Sequence, residues 1–397
     1  MPFDFDRITD RRGTWSMKWD LAERKLGVPD VIPMWVADMD FPAPPAVVEA
    51  LTARAAHGIY GYAMTPPSFR QTVIRWLGTR FGWAIERDWL LKAPGVVSSV
   101  VFCVRALTRP GDGIVVQTPV YFPFFGAVER NGRRLVRNPL AFRGGRIEMD
   151  FDDLESKIDS GTRMLILCSP HNPVGRVWTR AELERLGALA RERNLIIVSD
   201  EIHAELHYRG HRHVPTALVN DDLAGRTVTV FAPSKTFNLP GLTTSLIVVK
   251  DKGLRDKLKA ELESGGFEIG NLFGLLAVET AYARGGEWLD ELLVYLEGNI
   301  DYLERFTTER LPSLSFLRPE GTYLGLLDCR RLGLEPEALH EFFLKKARVY
   351  FSPGEIFGDE LRGFERINFG CPRPLLREAL ERIERAVNAL GNMEKSR

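Results

Sequence analysis

The 397-residue sequence has little cysteine: Cys103, Cys168, Cys329 and Cys371 lie far apart, with no CxxC among them. That spacing favours a reducing compartment over a disulfide framework, with Cys168, at the end of an apolar run, reading as a core thiol. An excess of charge is also missing. Lys+Arg and Asp+Glu both number 53, and no basic run of the kind carried by nucleic-acid or membrane-surface proteins is present. No apolar run approaches a membrane span, and the opening residues, "MPFDFDRITDRRG", are too charged for a secretory leader. Internal repeats and low-complexity segments are absent as well. The expectation is a cytoplasmic globular protein that binds neither nucleic acid nor membrane. Its length suggests two or three domains with an ample buried core.

What is present is an alternation. Short apolar runs, "GIVVQ" (113–117), "MLILC" (164–168), "LIIVS" (195–199), "VTVF" (228–231) and "SLIVV" (245–249), read as buried strands. Between two of them, "TRAELERLGALARERN" (179–194) has helical periodicity and a capping-box start, Thr179 followed three residues later by Glu182. Strands alternating with helices predict an α/β domain with a mostly parallel sheet, over about residues 45–285. The remainder, 286–397, holds a long helical stretch, "GTYLGLLDCR", a helix near "EPEALHEFFLKKA" and "FERINFGCPRP". It predicts a smaller α+β domain, to which the N-terminal arm, 1–44, is assigned.

In open α/β sheets, ligands bind beyond the carboxyl ends of the strands. Four groups fall there: Tyr121 after "IVVQTPV", Asn172 after "LILCSPH", Asp200 after "LIIVS" and Lys235 after "TVTVFAPS". For any one of them the plainer alternative is the polar rim that every such sheet carries; the four together favour a site. A lysine and an acid on neighbouring strand ends suit pyridoxal phosphate (PLP), which needs an amine for its Schiff base and an acid against its pyridine nitrogen. The other role for Lys235, phosphate binding in a nucleotide site, lacks its glycine-rich loop, since no GxxxxGK[ST] precedes it.

"SDEIH", "HNPVG" and "SKTFNLPGL" resemble the fold-type I PLP enzymes of the aminotransferase class I/II superfamily. "WSMKWD", "PMWVADMDF", "GIYGY", "APGVVSSV", "TPVYFPF", "CSPHNPVGRVW", "GTYL" and "RINFGCPR" narrow the resemblance, nearly end to end, to the cystathionine β-lyase-like C–S lyases of the MalY/PatB type. The resemblance implies that Lys235 carries PLP and removes the substrate's Cα proton, that Asp200 pairs with the pyridinium, and that Asn172 bonds the cofactor's phenolic oxygen with His203 nearby. Tyr121 would stack on the ring. The phosphate would sit at a helix beginning near Ser98, on the backbone of Val96 and Val97, with Ser234 adding a hydroxyl. Tyr62, or alternatively Tyr60, would reach it from the second subunit of a homodimer with shared sites. Arg373 would clamp the substrate carboxylate, helped by the backbone at Ala37.

Plainer roles stand beside these: core packing for Tyr121, an ordinary helix start for Val96 and Val97, and a surface position for Arg373. One departure bears on activity. Transaminating relatives carry an arginine eight residues after the lysine and often serine three before it; here these are Thr243 and Ala232. Three functions are therefore carried forward: α,β-elimination on cystathionine or another cysteine thioether, aminotransfer between an amino acid and a keto acid, and a regulatory protein on a PLP fold. His203, His207, His211 and His213 have a spacing that zinc ligands can show, but Gly210 and Pro215 break any long helix there. No metal is expected, and the last three histidines are read as surface residues.

Overall fold

The computed structural model describes residues 3–267 and 269–395, and the chain divides into two compact units. The larger comprises Ala43–Asn172 and Arg176–Leu289; the smaller comprises the chain up to Pro42, Pro173–Gly175 and the chain from Asp290 onward.

The larger unit is built on a seven-stranded sheet: β1 (Leu90–Ala93), β2 (Gly113–Thr118), β3 (Arg134–Pro139), β4 (Thr162–Cys168), β5 (Ile196–Asp200), β6 (Thr227–Phe231) and β7 (Ser245–Val249). Their order across the sheet is β1-β7-β6-β5-β4-β2-β3. Only β7 runs antiparallel to its neighbours. Every residue of β2, β6 and β7 is buried, as a sheet covered on both faces demands, and this is why these strands read as continuous apolar runs. The two outer strands, β1 and β3, escaped the sequence reading because "LLKA" and "RLVRNP" mix apolar with charged or polar residues and are only partly buried.

The helix Arg180–Glu192 starts on the full capping box, with Thr179 and Glu182 bonding each other's backbone N–H. A second helix, Val96–Leu107, opens two residues earlier than expected. Gly95 precedes it at φ +106°, a conformation that side-chain-bearing residues rarely adopt, and an added Cβ there would meet nothing within 4 Å. The helix buries Val96, Val100, Cys103 and Val104 into the core beneath the sheet.

The smaller unit carries an antiparallel sheet of β8 (Ser315–Leu317), β9 (Leu324–Asp328), β10 (Ser352–Pro353) and β11 (Phe364–Asn368), in the order β8-β9-β11-β10. The long helix Arg373–Lys395 buries Leu376, Ala379, Leu380 and Ile383, the helical spacing of one apolar face. The N-terminal arm is tied in by pairing of Ile32–Pro33 with Val349–Tyr350. It also holds a buried ion pair, Lys18 Nζ to Asp40 Oδ2 at 2.6 Å, in which Arg11 and the Trp19 indole N–H share the Asp40 carboxylate. A lysine with no exposed surface is tolerable only when its charge is met at hydrogen-bond distance. Among the described residues no helix is long and apolar enough to cross a membrane.

Candidate active site

The sheet register aligns the strand ends of the larger unit. Val116 pairs with Ile166, Cys168 with Asp200, and Asp200 with Val230. The carboxyl ends of β2, β4, β5 and β6 therefore form one rim, and the expected residues follow from it. The loops are laced together beyond the strands. Ser169 N–H donates to Asp200 O (2.9 Å), and Glu201 N–H donates to Val230 O (2.8 Å). His171, whose pKa is lowered to about 4 by burial, is neutral and donates its Nε2–H to the Pro119 carbonyl at 2.9 Å. This ties the loop bearing Asn172 to the loop bearing Tyr121.

Asp200 ends β5 and is buried. Burial pushes its carboxyl up to about 7; the Ile202 N–H, 3.1 Å from Oδ1, and the charge of Lys235 act against that rise, while Glu201 adds to it. Lys235 is thus near enough to act on Asp200 through space. It stands on the single helical turn Pro233–Thr236, immediately after β6, beside Ser234, and is half-buried. Asn172 is buried, and its N–H donates to Cys168 Sγ at 3.4 Å. His203 is buried three residues past Asp200. Tyr121 is half-buried, its ring 5.6 Å from Phe122 and 6.0 Å from Phe124, so it packs on the core and also borders the rim.

Val96 and Val97 are the first two residues of their helix, where backbone N–H groups have no partner within the helix and the helix dipole favours an anion. Tyr60 and Tyr62 lie apart from the rim residues in sequence and are exposed, Tyr62 at 95%. The Tyr60 hydroxyl is committed locally, donating to Ala55 O at 2.7 Å.

In the smaller unit, Arg373 opens the last long helix. Its Nε donates to Asn299 Oδ1 (2.5 Å), and its guanidinium lies 5.2 Å over the Tyr302 ring and 5.8 Å from that of Tyr295. The Ala37 carbonyl accepts from Tyr323 Oη at 2.8 Å. Sequence reasoning missed Arg366, a buried arginine on β11. Its Nη2 donates to Trp35 O and, at 3.1 Å, to Ser352 Oγ. Asn368, two residues on, donates to Val36 O and Asp38 O, both at 2.6 Å. Arg366 and Asn368 together bind the backbone on both sides of Ala37. The signal was available: Arg366 opens "RINFGCPR", one of the segments that carry the resemblance.

Two buried acids were also missed. Glu201 accepts from Ser199 Oγ (2.8 Å) and Thr216 N–H (2.9 Å) and contacts His213 Nε2 (3.0 Å); Glu205 accepts from Trp76 and Thr236. The surface reading of the histidines is corrected accordingly. His213 is buried against Glu201, and His207 is half-buried with its pKa lowered to about 4 by burial, while His211 is exposed. Among the described residues no group of three or more His, Cys, Asp or Glu side chains is placed to hold a metal ion.

The donor set fits PLP: an amine, a buried acid whose burial opposes ionisation until a cation faces it, an amide, an aromatic ring and a helix N-terminus for a phosphate. Comparison with known proteins gives the same direction. The family model for aminotransferase class I and II matches residues 29–383. The chain is 44% identical over 386 residues to cystathionine β-lyase PatB of Bacillus subtilis strain 168, covering 97% of this chain and 100% of that protein. Cystalysin from Treponema denticola, solved with pyridoxal 5'-phosphate, superposes with a TM-score of 0.95 at 36% identity over 98% of this chain and 100% of its own. The PLP-bound C–S lyase of Staphylococcus hominis superposes with a TM-score of 0.89 at 32% identity, covering 97% and 99%. With a family model spanning most of its length, and with relatives of this identity aligned nearly end to end, the chain belongs to the aminotransferase class I and II family.

Proposed function

We propose that this chain is a PLP-dependent carbon–sulfur lyase that cleaves cystathionine or a related cysteine thioether to a thiol, pyruvate and ammonia. The observation that carries the reading is the placing of Asp200 and Lys235 at the ends of adjacent parallel strands, in a chain 44% identical to a cystathionine β-lyase. PLP, when bound, supplies an electron sink for the charge left on the substrate Cα. Lys235 would hold the cofactor covalently through Nζ, and, once the substrate's amine has displaced it, the freed Nζ would take the Cα proton. Asp200 keeps a proton on the cofactor's ring nitrogen, Asn172 and His203 address its phenolic oxygen, and Tyr121 covers its ring. Val96 and Val97 N–H groups with Ser234 take the phosphate.

The substrate carboxylate needs a guanidinium, whose planar fork matches two carboxylate oxygens. Arg373 is one candidate. Arg366 is the better placed, because its bond to Trp35 O and the Asn368 bonds hold it beside Ala37, whose backbone is the second expected carboxylate contact. The assembly proposed is a cytoplasmic homodimer, for which the exposed loop of Ile59, Tyr60, Tyr62 and Met64 and the buried free thiols are the support. With the Tyr60 hydroxyl bonded at home, Tyr62 is the residue that reaches the neighbouring site.

Thr243 supports elimination over aminotransfer. It stands where transaminating relatives carry arginine, in the left-handed conformation at φ 40°. Purified protein given cystathionine without any keto acid should release thiol, pyruvate and ammonia over many turnovers. Arrest after one turnover, relieved by adding a keto acid, would replace this reading with an aminotransferase.

A further inference from the structure

The turn that carries Lys235 is too short to hold itself. Pro233–Thr236 is one helical turn entered from the extended residue Ala232 and closed by Phe237 N–H on Pro233 O (2.9 Å) and Leu239 N–H on Ser234 O (2.8 Å). Isolated turns of this length are unstable, because fixing the first turn costs more than its few hydrogen bonds return. Outside anchors must set where Lys235 stands.

One such anchor is a buried carboxylate that the proposed chemistry does not use. Glu205 is 5% exposed, and Thr236, the residue after Lys235, has no exposed surface. Thr236 Oγ1 donates to Glu205 Oε2 at 2.8 Å, and the Trp76 indole N–H donates to Glu205 Oε1 at 2.9 Å. Trp76 is fixed in turn by stacking on Tyr282, with ring centres 5.0 Å apart and planes at 21°, and by the Phe237 ring at 5.7 Å. Glu205 follows Asp200 by five residues through tight turns, Ala204 N–H on Glu201 O and Leu206 N–H on His203 O. Its side chain therefore joins the segment that positions Asp200 to the turn that positions Lys235.

We infer that Glu205 is a positioning residue for Lys235, acting through the Thr236 hydroxyl to fix the lysine's place relative to Asp200. The bond can serve with Glu205 in either protonation state. Burial raises the pKa of Glu205, the two side-chain donors and the charge of Arg80 oppose the rise, and the protonated acid can still hold Thr236 by donating to Oγ1. Glutamine at this position would do the same, accepting from Trp76 with its oxygen and donating to Thr236 with its amide. An acid that merely gave the Trp76 indole an acceptor would have no need of the Thr236 hydroxyl, and this separates the two roles.

The inference rests on the proposed role of Lys235, so the test includes that residue. T236V, T236S, E205Q, E205L and K235A are prepared as PLP-loaded protein. The measurements are kcat and KM on a cysteine thioether, the rate of PLP release on dialysis, and the pH midpoint of the bound cofactor's visible absorbance. T236V and E205L should lower kcat by about 10- to 100-fold with KM nearly unchanged, as misplacement of a reacting group does. Both should also move the pH midpoint, because the proton affinity of Lys235 depends on its distance from the Asp200 charge, and both should release PLP faster. T236S and E205Q should stay near the parent in all three. If E205L fails to fold, T236V decides alone. A T236V protein with parental kcat and midpoint that has lost only melting temperature would overturn the inference. Full activity and covalent cofactor attachment in K235A would instead overturn the proposed function; an inactive K235A beside a parental T236V would remove only the positioning role.

Discussion

Asp200 and Cys168 are register partners across β5 and β4, both buried, and the Asp200 charge adds to burial in pushing the Cys168 thiol up. The carboxyl that ends β5 is thus enclosed on the sheet side by apolar strand and thiol, with its pKa raised by burial from 3.8 to about 7. An acid so placed is a poor anion even with the Lys235 charge acting on it, and a second cation beside it would favour the ionised form.

This gives a stability prediction with a definite sign. In cofactor-free protein between pH ~4 and ~7, folded Asp200 keeps a proton that the unfolded chain has released, so its contribution to stability falls as pH rises through that window. The total is roughly 4 kcal/mol, from about three pKa units. Acids with lowered pKa, such as Asp40 beside Lys18, slope the other way at lower pH, so the comparison is with D200N. Urea denaturation of both cofactor-free proteins should give a wild-type-minus-D200N difference that declines from pH 4 to 7. PLP should flatten the decline, because the protonated pyridine draws the Asp200 pKa down. A difference independent of pH in the cofactor-free proteins would show that Asp200 is not held protonated by its site.

The strands that frame this site were legible because both sheet faces are covered. Nothing polar interrupts "MLILC", and only Thr229 interrupts "VTVF", so both read as continuous buried strands. The residues just past those runs, Asn172, Asp200 and Lys235, stood out by position, as polar side chains beyond the carboxyl ends of apolar strands. Glu205, Arg366 and His213 were hidden by the opposite circumstance. Glu205 and Arg366 are polar residues inside buried segments, and the meaning of all three lies in a partner elsewhere in sequence, 31 residues from Glu205 to Thr236, 331 from Arg366 to Trp35 and 12 from His213 to Glu201. Spacing along the chain carries no trace of such pairs. His213 was misread for this reason, since a histidine between Arg212 and Val214 looks solvated until Glu201 is found against it.

The two arginines separate by kinetics. Arg366 is held beside Ala37, whereas Arg373 is turned onto Asn299 and the Tyr295 and Tyr302 rings. Lysine in place of a bidentate arginine keeps the charge and loses the paired hydrogen bonds. R366K should therefore raise KM for cystathionine by about 30- to 150-fold, the equivalent of about 2–3 kcal/mol, with R373K within about fivefold of the parent. Steady-state assays on both, with circular dichroism to confirm folding, decide between them. The reverse ranking would give the carboxylate to Arg373.

Tyr62 carries the last prediction. Ile59, Tyr62 and Met64 are 68%, 95% and 78% exposed in a single loop, an apolar display that a solitary chain would not ordinarily present to water. Tyr60, also in that loop, bonds its own helix end at Ala55, so the hydroxyl left to act elsewhere is that of Tyr62. A twofold assembly in which each copy lends this hydroxyl to the other's phosphate makes every site a composite of two chains. Y62A and K235A should each be inactive as pure proteins: the first lacks the lent hydroxyl at both sites, the second lacks the amine at both. Unfolded together and refolded as a mixture, they should form hybrids in which one site takes Tyr62 from the K235A chain and Lys235 from the Y62A chain. That site is intact. A random mixture contains about half hybrids, each with one good site of two, so activity should return to about a quarter of the parent's. Sedimentation should show a dimer throughout. No recovery of activity in a mixture shown to contain hybrids, or full activity in a protein that sediments as a monomer, would mean that each chain completes its site alone.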